Sequence, residues 1–184
     1  GNTLVIINST ISGNSVSGSG VTTGGGVEFA FGSVTILNTT IDSNSAVRGA
    51  NLHNGNASTT GFPFTLRNSI VADASPGAGA TGPNIGGPIS DAQYDLIDND
   101  ASVTYTGIKT GVITATNAQL GGLGDNGGPT PTMVPATASP AINAGDPAGC
   151  KDDGGIALTT DQRGSARPIG GGCDLGAYER FDLA

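Results

Sequence analysis

The chain has 184 residues, of which 32 are glycine and 10 are proline, and its net charge is −8. Aromatic residues make up only 4% and tryptophan is absent, which excludes a thick aromatic core. The negative charge repels nucleic-acid backbones and anionic membranes, so nucleic-acid binding is not expected, and no apolar run is long enough to span a membrane. Such a composition suits a disordered chain or a fold of small and β-branched side chains that turns often.

A repeat of 30 residues favours the folded alternative. The segments LVIINSTISGN, VTILNTTIDSN and FTLRNSIVADA begin at Leu4, Val34 and Phe64, and YDLID, which begins at Tyr94, is a shorter fourth copy with Asp98 in place of the asparagine. Apolar and polar residues alternate in each segment, as in a strand with one buried face. Copies this short bury that face only by stacking, which predicts an all-β, right-handed parallel β-helix, a solenoid with about 30 residues per coil.

The repeat also predicts how the chain is divided. Residues 1–109 are predicted to form the coils, and residues 110–184, where the repeat is lost, an irregular cap that closes the open end of the solenoid. Within the coils, Ile6, Ile36 and Leu66 are predicted to lie above one another, with Leu96 as their fourth counterpart. On the third side of each coil, the segments GGGVEF, ANLHN and GPNIGG are predicted to be equivalent although their spacing drifts.

Three asparagines, Asn8, Asn38 and Asn68, lie 30 residues apart where one strand bends into the next. Side-chain amides stacked at a corner can donate and accept hydrogen bonds along the column, so we predict an asparagine ladder with a structural role. Glycosylation at NST and NTT is the alternative, but a side chain committed to a ladder cannot carry a sugar.

The first strand, TLVIIN, has no polar helix or charged cap before it in the sequence. Leu4, Val5, Ile6 and Ile7 are therefore predicted to form an open amino-terminal edge. Either a longer amino-terminal part has been removed, or a neighbouring molecule fills the edge by strand addition. A head-to-tail contact that does not close into a ring grows into a filament, so self-association into a homo-oligomer or filament is predicted.

The carboxy-terminal part contains both cysteines and an excess of charged residues. Cys150 and Cys173 are predicted to form one disulfide in an exported protein, and a reduced pair is the alternative. Arg163 and Arg167 lie among acidic residues that include Glu179, which predicts an ion-pair network that pins the cap.

A calcium site is the other interpretation of the acidic residues in this part. Asp125, Asp146, Asp152 and Asp153 could hold Ca²⁺ together with backbone carbonyls, since this ion takes six to eight oxygen ligands from flexible loops. No spacing here matches a defined calcium loop, so no cofactor is predicted and calcium stays an open alternative.

Four motifs occur in order in this part of the chain, namely DNGGPTPT at 125–132, SPAINAGD at 139–146, TDQRG at 160–164 and CDLGAYE at 173–179. Together with the NSTISGN-type repeats they resemble the family of bacterial and archaeal exported proteins called choice-of-anchor Q domain proteins, which are related in repeat style to polymorphic outer-membrane proteins. The resemblance spans essentially the whole chain. It implies a right-handed parallel β-helix at the cell surface or beyond it, and no catalytic residue. The ending ERFDLA departs from the pattern, because it has no evident sorting signal.

An enzyme acting on polysaccharides is the main competing class. Glycoside hydrolysis needs two facing carboxylates, and lyases need a cation cluster near a base. Asp42, Asp73 and Asp95 fall on different copies at different offsets, and no triad order surrounds His53, the only histidine. One histidine and two separated cysteines cannot supply a zinc site. We therefore expect no catalytic residue and no enzyme.

The sequence thus predicts a secreted structural module, either extracellular or at the cell surface, with no membrane span and with other copies of itself as partners. An adhesin that binds a glycan or another surface ligand is the first alternative, and a polysaccharide-active enzyme is the second.

Overall fold

A computed structural model describes residues 2–55, 62–73, 75–81, 84–101 and 103–181. The described residues form an all-β structure without a helix, and all named strands pair in parallel. The strands are β1 (Thr3–Ile7), β2 (Thr10–Ser12), β3 (Val27–Phe29), β4 (Ser33–Leu37), β5 (Thr40–Asp42), β6 (Ser45–Arg48), β7 (Leu52–Asn54), β8 (Phe64–Arg67), β9 (Ile70–Ala72), β10 (Ser75–Thr81), β11 (Ile85–Gly86), β12 (Pro88–Gln93), β13 (Leu96–Ile97), β14 (Thr104–Thr110) and β15 (Ile113–Thr114).

These strands form four sheets. The first sheet has the order β1-β4-β8-β12-β14 and the second β2-β5-β9-β13-β15, while β3-β7-β11 and β6-β10 form two smaller sheets. Successive strands of the chain belong to different sheets, so each sheet grows by one strand with each repeat. We call β1–β3 the first copy, β4–β7 the second, β8–β11 the third, β12–β13 the fourth and β14–β15 the fifth; together they are the strand stack.

The predicted column of apolar side chains is present in the first three copies. Ile6 pairs with Ile36, and Ile36 pairs with Leu66, so residues 30 apart are neighbours in the first sheet. All three belong to one core cluster, in which Ile36 and Leu66 are fully buried and Ile6 is partly buried. The inward residue of the short strands in the second sheet joins the same core, as Ile41 and Val71 do. The sheets therefore enclose a shared core of aliphatic residues.

The third side of the repeat is also as predicted. Val27 pairs with Leu52, and Leu52 pairs with Ile85, although the number of intervening residues differs. Leu52 and Ile85 are buried in the main core, and Val27 packs against it at the first copy. The drift in spacing arises because the connections that follow these strands differ in length and because β10 is longer than β6.

The predicted alignment of the fourth copy is wrong. Leu66 pairs with Ala92 and not with Leu96, which lies in the second sheet beside Ile70. The strand that continues the first sheet is β12, whose Ile89 and Ala92 are fully buried in the core. Tyr94 takes the corner position that the asparagines hold in the earlier copies. The step from the third copy to the fourth is thus shorter than 30 residues, and the apolar pattern of YDLID belongs to the corner and the following strand.

Residues 116–181, which we call the C-terminal segment, contribute no strand to the sheets and contain only isolated antiparallel bridges. Ala141 and Leu175 of this segment form a second core cluster with Ile70 and Leu96, whose side chains point outward from the second sheet. Hydrogen bonds tie the segment to the first, second and third copies in turn. We expected these residues to close the end of the stack. Their described contacts instead run along its side, where they bury the outward apolar residues of the second sheet.

Candidate assembly edge

The first copy forms one end of the strand stack. In the described part of the chain, β1, β2 and β3 each have a partner strand on one side only. The core is incompletely covered here, because Ile6, Ile11 and Val27 are only partly buried. Leu4 is 43% exposed. The sequence-predicted edge residues therefore lie at a sheet edge with partly exposed apolar side chains, the kind of surface that templates pairing with another strand.

The backbone of β1 presents hydrogen-bonding groups on both sides in alternation. The carbonyl of Asn2 accepts from the N–H of Ser33 at 3.0 Å, and the N–H of Asn8 donates to the carbonyl of Leu37 at 3.2 Å. Even-numbered residues of this strand thus direct their N–H and C=O groups toward β4, because these groups alternate in direction along a strand. The residues whose N–H and C=O groups point to the outer edge are Thr3, Val5 and Ile7.

A depression of about 670 Å³ lies beside this edge. One wall is β2 and the other is the C-terminal segment, including Leu123, which is 51% exposed, and Pro131. Gln162 connects the walls: its Oε1 accepts from the hydroxyl of Thr10 at 2.7 Å and its Nε2 donates to the hydroxyl of Thr130 at 2.9 Å. The C-terminal segment therefore stands next to the edge of the first copy.

The other end of the stack, at β14, is built differently. Tyr105 and Lys109 pair with Ile89 and Ala92, whose side chains are in the core. The ammonium of Lys109 lies 4.0 Å from the centroid of the Tyr105 ring and 3.0 Å from a carboxylate oxygen of Asp100. The Tyr105 hydroxyl donates to the same oxygen at 3.2 Å. Burial, followed by the charge of Asp100, raises the pKa of Tyr105, so this hydroxyl stays protonated. A charged cluster thus lies over the core at this end.

The asparagines at the corners do not form the predicted ladder. Asn8, Asn38 and Asn68 have positive φ angles of 47°, 49° and 51°, and Tyr94 follows at 54°. Asparagine tolerates this left-handed conformation better than most residues, which explains its recurrence at the corner. The side chains bond to the C-terminal segment and not to one another.

Each corner asparagine meets a different part of the C-terminal segment. Asn8 Nδ2 donates to the Thr160 carbonyl at 2.8 Å, and Asn38 Nδ2 donates to the Lys151 carbonyl at 2.9 Å. Asn68 Oδ1 accepts from the Asp146 N–H at 2.7 Å. The three side chains therefore anchor the segment as it runs back along the stack from the third copy to the first. Asn38 is fully buried, which is incompatible with a sugar on its amide in the folded state.

A ladder of side chains exists at another corner, where sequence analysis did not place one. Asn14 Nδ2 donates to Asn44 Oδ1 at 3.0 Å, Asn44 Nδ2 to Asn51 Oδ1 at 2.9 Å, and Asn51 Nδ2 to Asn84 Oδ1 at 3.0 Å. Asn84 in turn bonds to the carboxylate of Asp98. The 30-residue step from Asn14 to Asn44 was a signal for this ladder, but Asn51 and Asn84 lie off that step.

The predicted disulfide between Cys150 and Cys173 is confirmed, and it is buried. Arg163 Nη2 lies 2.7 Å from Asp161 Oδ2 and also donates to the Glu179 carbonyl at 2.7 Å. Arg167 Nε lies 2.9 Å from Glu179 Oε2, and neither of these two side chains is exposed. The charged network predicted for the carboxy-terminal part is therefore present.

Several buried carboxyl groups have unusual acidity. Burial raises the pKa of Asp42 from 3.8 to about 6, against the lowering effect of a hydrogen bond from Ser43. Burial likewise raises the pKa of Asp174 to about 6 and that of Asp95 well above its ordinary range. One oxygen of Asp42 and one of Asp95 have no hydrogen-bond partner in the described chain. Burial raises these pKa values because it removes water from the charged form of each group.

Three of the four candidate calcium ligands accept hydrogen bonds from nearby backbone N–H groups. Asp146 Oδ1 accepts from the Ala148 N–H at 2.8 Å, and Asp152 Oδ1 accepts from the Gly154 and Ile156 N–H groups at 3.0 and 2.8 Å. Asp125 Oδ1 caps a turn in the same way. Among the described residues, no group of three or more histidine, cysteine or acidic side chains is placed to hold a metal ion.

The residues weighed for catalysis are distributed over the stack. His53 Nδ1 lies 3.0 Å from Glu28 Oε2 on the third side. Asp95 is fully buried. Asp42 and Asp73 lie at one corner close enough for the charge of Asp73 to raise the pKa of Asp42, with Asp98 nearby. The sequence did not predict this acidic group, in which the Asp98 carboxylate accepts from Asn84 and from the Asp73 N–H.

A groove of about 450 Å³ separates the outer face of the first sheet from the C-terminal segment. Thr35, Thr65 and Arg67 line the sheet side, and Lys151 and Asp152 line the other. Arg67 is paired with the carboxylate of Asp91 on the neighbouring strand. The lining is polar, with charges of both signs.

Comparison with protein-family models, with curated proteins and with solved structures found no match. No helix in the described ranges is long and apolar enough to cross a membrane.

Proposed function

We propose that the chain is an extracellular structural module, a right-handed parallel β-solenoid that polymerises head-to-tail into filaments by strand addition at β1. The observation that carries the proposal is the edge of the first copy, where three parallel strands have a partner on one side only and Ile6, Ile11 and Val27 are partly exposed. A strand that joins β1 pairs with outward-facing N–H and C=O groups and covers these side chains, which lowers the free energy of association.

Two features support an extracellular setting. The buried disulfide between Cys150 and Cys173 is of a kind that persists in oxidising compartments. The ordered motifs of the carboxy-terminal part suit the resemblance to choice-of-anchor Q domain proteins, which we retain as a proposal. We propose no catalytic role for the chain.

The test uses the chain with residue 5 changed. Val5→Pro removes an N–H that points to the outer edge and places a ring there, while the bonds to β4 come from the even-numbered residues. Val5→Thr keeps the N–H and serves as the matched control. We expect electron microscopy and sedimentation to show filaments of the unchanged chain and of Val5→Thr, and monomers of Val5→Pro with an unchanged circular dichroism spectrum. Filaments of equal length and amount in all three chains would reject strand addition at β1.

A glycan-binding adhesin is the second candidate, and the groove lined by Thr35, Thr65, Arg67 and Asp152 favours it. Polar groups of both hydrogen-bonding kinds in a concave surface suit the hydroxyls of a sugar chain. Binding on a glycan array that is lost in Arg67→Ala and kept in Arg48→Ala would support this candidate. An array without signal would reject it.

A further inference from the structure

The two ends of the strand stack differ in a way that bears on assembly. If copies join head-to-tail, β1 of one copy pairs with β14 of the next, because both are edge strands of the same parallel sheet. The first end offers partly exposed aliphatic side chains. The second end offers Lys109, whose position in the pairing continues the inward column of Ala92, Leu66 and Ile36.

We propose that Lys109, together with Asp100 and Tyr105, acts as a brake on head-to-tail assembly by placing a charge over the core where the next copy must dock. This inference rests on the proposed strand addition at β1 and concerns the regulation of that contact. The ammonium of Lys109 is held over the Tyr105 ring by the Asp100 carboxylate, 3.0 Å away. The cluster is therefore an ordered feature of this end.

Docking of β1 on β14 requires the removal of water from this cluster. Lys109 is 41% exposed and Asp100 is 22% exposed in the single chain. An incoming strand in the register of the stack brings Ile6 over the position of Lys109, since Ile6, Ile36, Leu66 and Ala92 share that column. Desolvation of an ion pair beneath an aliphatic side chain costs free energy that their mutual attraction does not fully return. Inward-pointing charges protect edge strands from pairing for this reason.

If the charges of Lys109 and Asp100 oppose docking, their removal should promote assembly. Lys109→Met keeps the unbranched stem over Tyr105, and Asp100→Asn in the same chain avoids an acid without its partner while keeping an acceptor for the Tyr105 hydroxyl. We expect this double variant to form filaments at a critical concentration about tenfold lower than that of the unchanged chain, as measured by sedimentation. Lys109→Arg, which keeps the charge, is the control and should assemble as the unchanged chain does.

A triple variant identifies the contact. Val5→Pro added to the double variant should return the chain to monomers, because β1 supplies the strand that docks on β14. Thermal unfolding of each variant establishes that it is folded. An unchanged critical concentration in the folded double variant would overturn the brake and leave strand addition intact. Equal assembly with and without Val5→Pro would reject strand addition itself, and with it the assignment of β14 as the partner of β1.

Discussion

The strand stack and the C-terminal segment are stabilised by different interactions. In the stack, aliphatic residues such as Ile36 and Leu66 recur at the same position of each copy and are fully buried. The C-terminal segment combines a smaller apolar cluster around Ala141 and Leu175 with a disulfide, the buried Arg167–Glu179 pair and hydrogen bonds to the corner asparagines. The stack is therefore stabilised mainly by repeated apolar burial, whereas single buried polar contacts contribute more to the segment.

The largest effect is expected from the buried ion pair of the C-terminal segment. Arg167→Met leaves the Glu179 carboxylate buried without its partner, which should lower the free energy of unfolding by about 3–5 kcal/mol. Chemical denaturation measures this loss. The double variant Arg167→Met with Glu179→Gln removes the orphaned charge and should recover part of the stability. A loss below about 1 kcal/mol in the single variant would mean that the buried ion pair contributes little to the stability of the C-terminal segment.

Two substitutions in one column of the stack compare a fully buried position with a position at the open edge. Ile36→Ala leaves a cavity at a fully buried site and should cost about 3 kcal/mol. Ile6→Ala, one copy away in the same column, should cost about half as much because Ile6 is only partly buried at the edge. Denaturation is measured at protein concentrations below assembly. Equal losses would mean that Ile6 is buried to the same extent as Ile36.

Asn38 connects the stack to the C-terminal segment, and two substitutions there distinguish the effect of its backbone conformation from that of its side-chain hydrogen bond. Asn38→Gly keeps the positive φ of 49° and loses the bond to the Lys151 carbonyl, which should cost about 1 kcal/mol. Asn38→Ala also strains the backbone and should cost about 1 kcal/mol more. Thermal unfolding of the two variants gives the comparison. If Asn38→Ala were as stable as Asn38→Gly, the left-handed corner would not be the reason for asparagine at this position.

Both regions also contribute to the pH dependence of stability. Asp42 in the stack and Asp174 in the C-terminal segment have pKa values raised from 3.8 to about 6 by burial. Between these two pH values the folded state binds more protons than the unfolded state, so the contribution of both groups to stability is full below about pH 4 and is lost as the pH rises to about 6. Melting temperatures across this range should fall with rising pH, and Asp42→Asn should reduce the slope. A slope unchanged by that substitution would remove Asp42 from the explanation.

The periodic part of the fold was predictable from the sequence, and the non-periodic part was not. Alternation and the 30-residue step placed Ile6, Ile36 and Leu66 in one column, because burial of a strand face requires regular spacing. The fourth copy was misaligned because Ile89 and Ala92 continue the core after a shorter interval. The path of the C-terminal segment depends on contacts between distant residues, such as Asn38 and Lys151, that no local pattern encodes.

The candidate assembly site was likewise only partly predictable from the sequence. The edge formed by Leu4 to Ile7 was predicted from its apolar residues, whereas the charged cluster at the other end was not. Lys109 pairs with Ala92 of the inward column after a register shift between β12 and β14, and its ammonium meets the carboxylate of Asp100. The 30-residue step does not relate Lys109 to Ala92, so the repeat in the sequence did not reveal this placement.

Amide hydrogen exchange at β1 tests strand addition most directly. In dilute samples the N–H groups of Val5 and Ile7 should exchange rapidly, because they point to the outer edge, while that of Ile6 should be protected by β4. On assembly at high concentration, Val5 and Ile7 should become protected to the level of Ile6. Filaments in which Val5 and Ile7 still exchange rapidly would contradict the account, since a strand cannot join β1 without bonding to these groups.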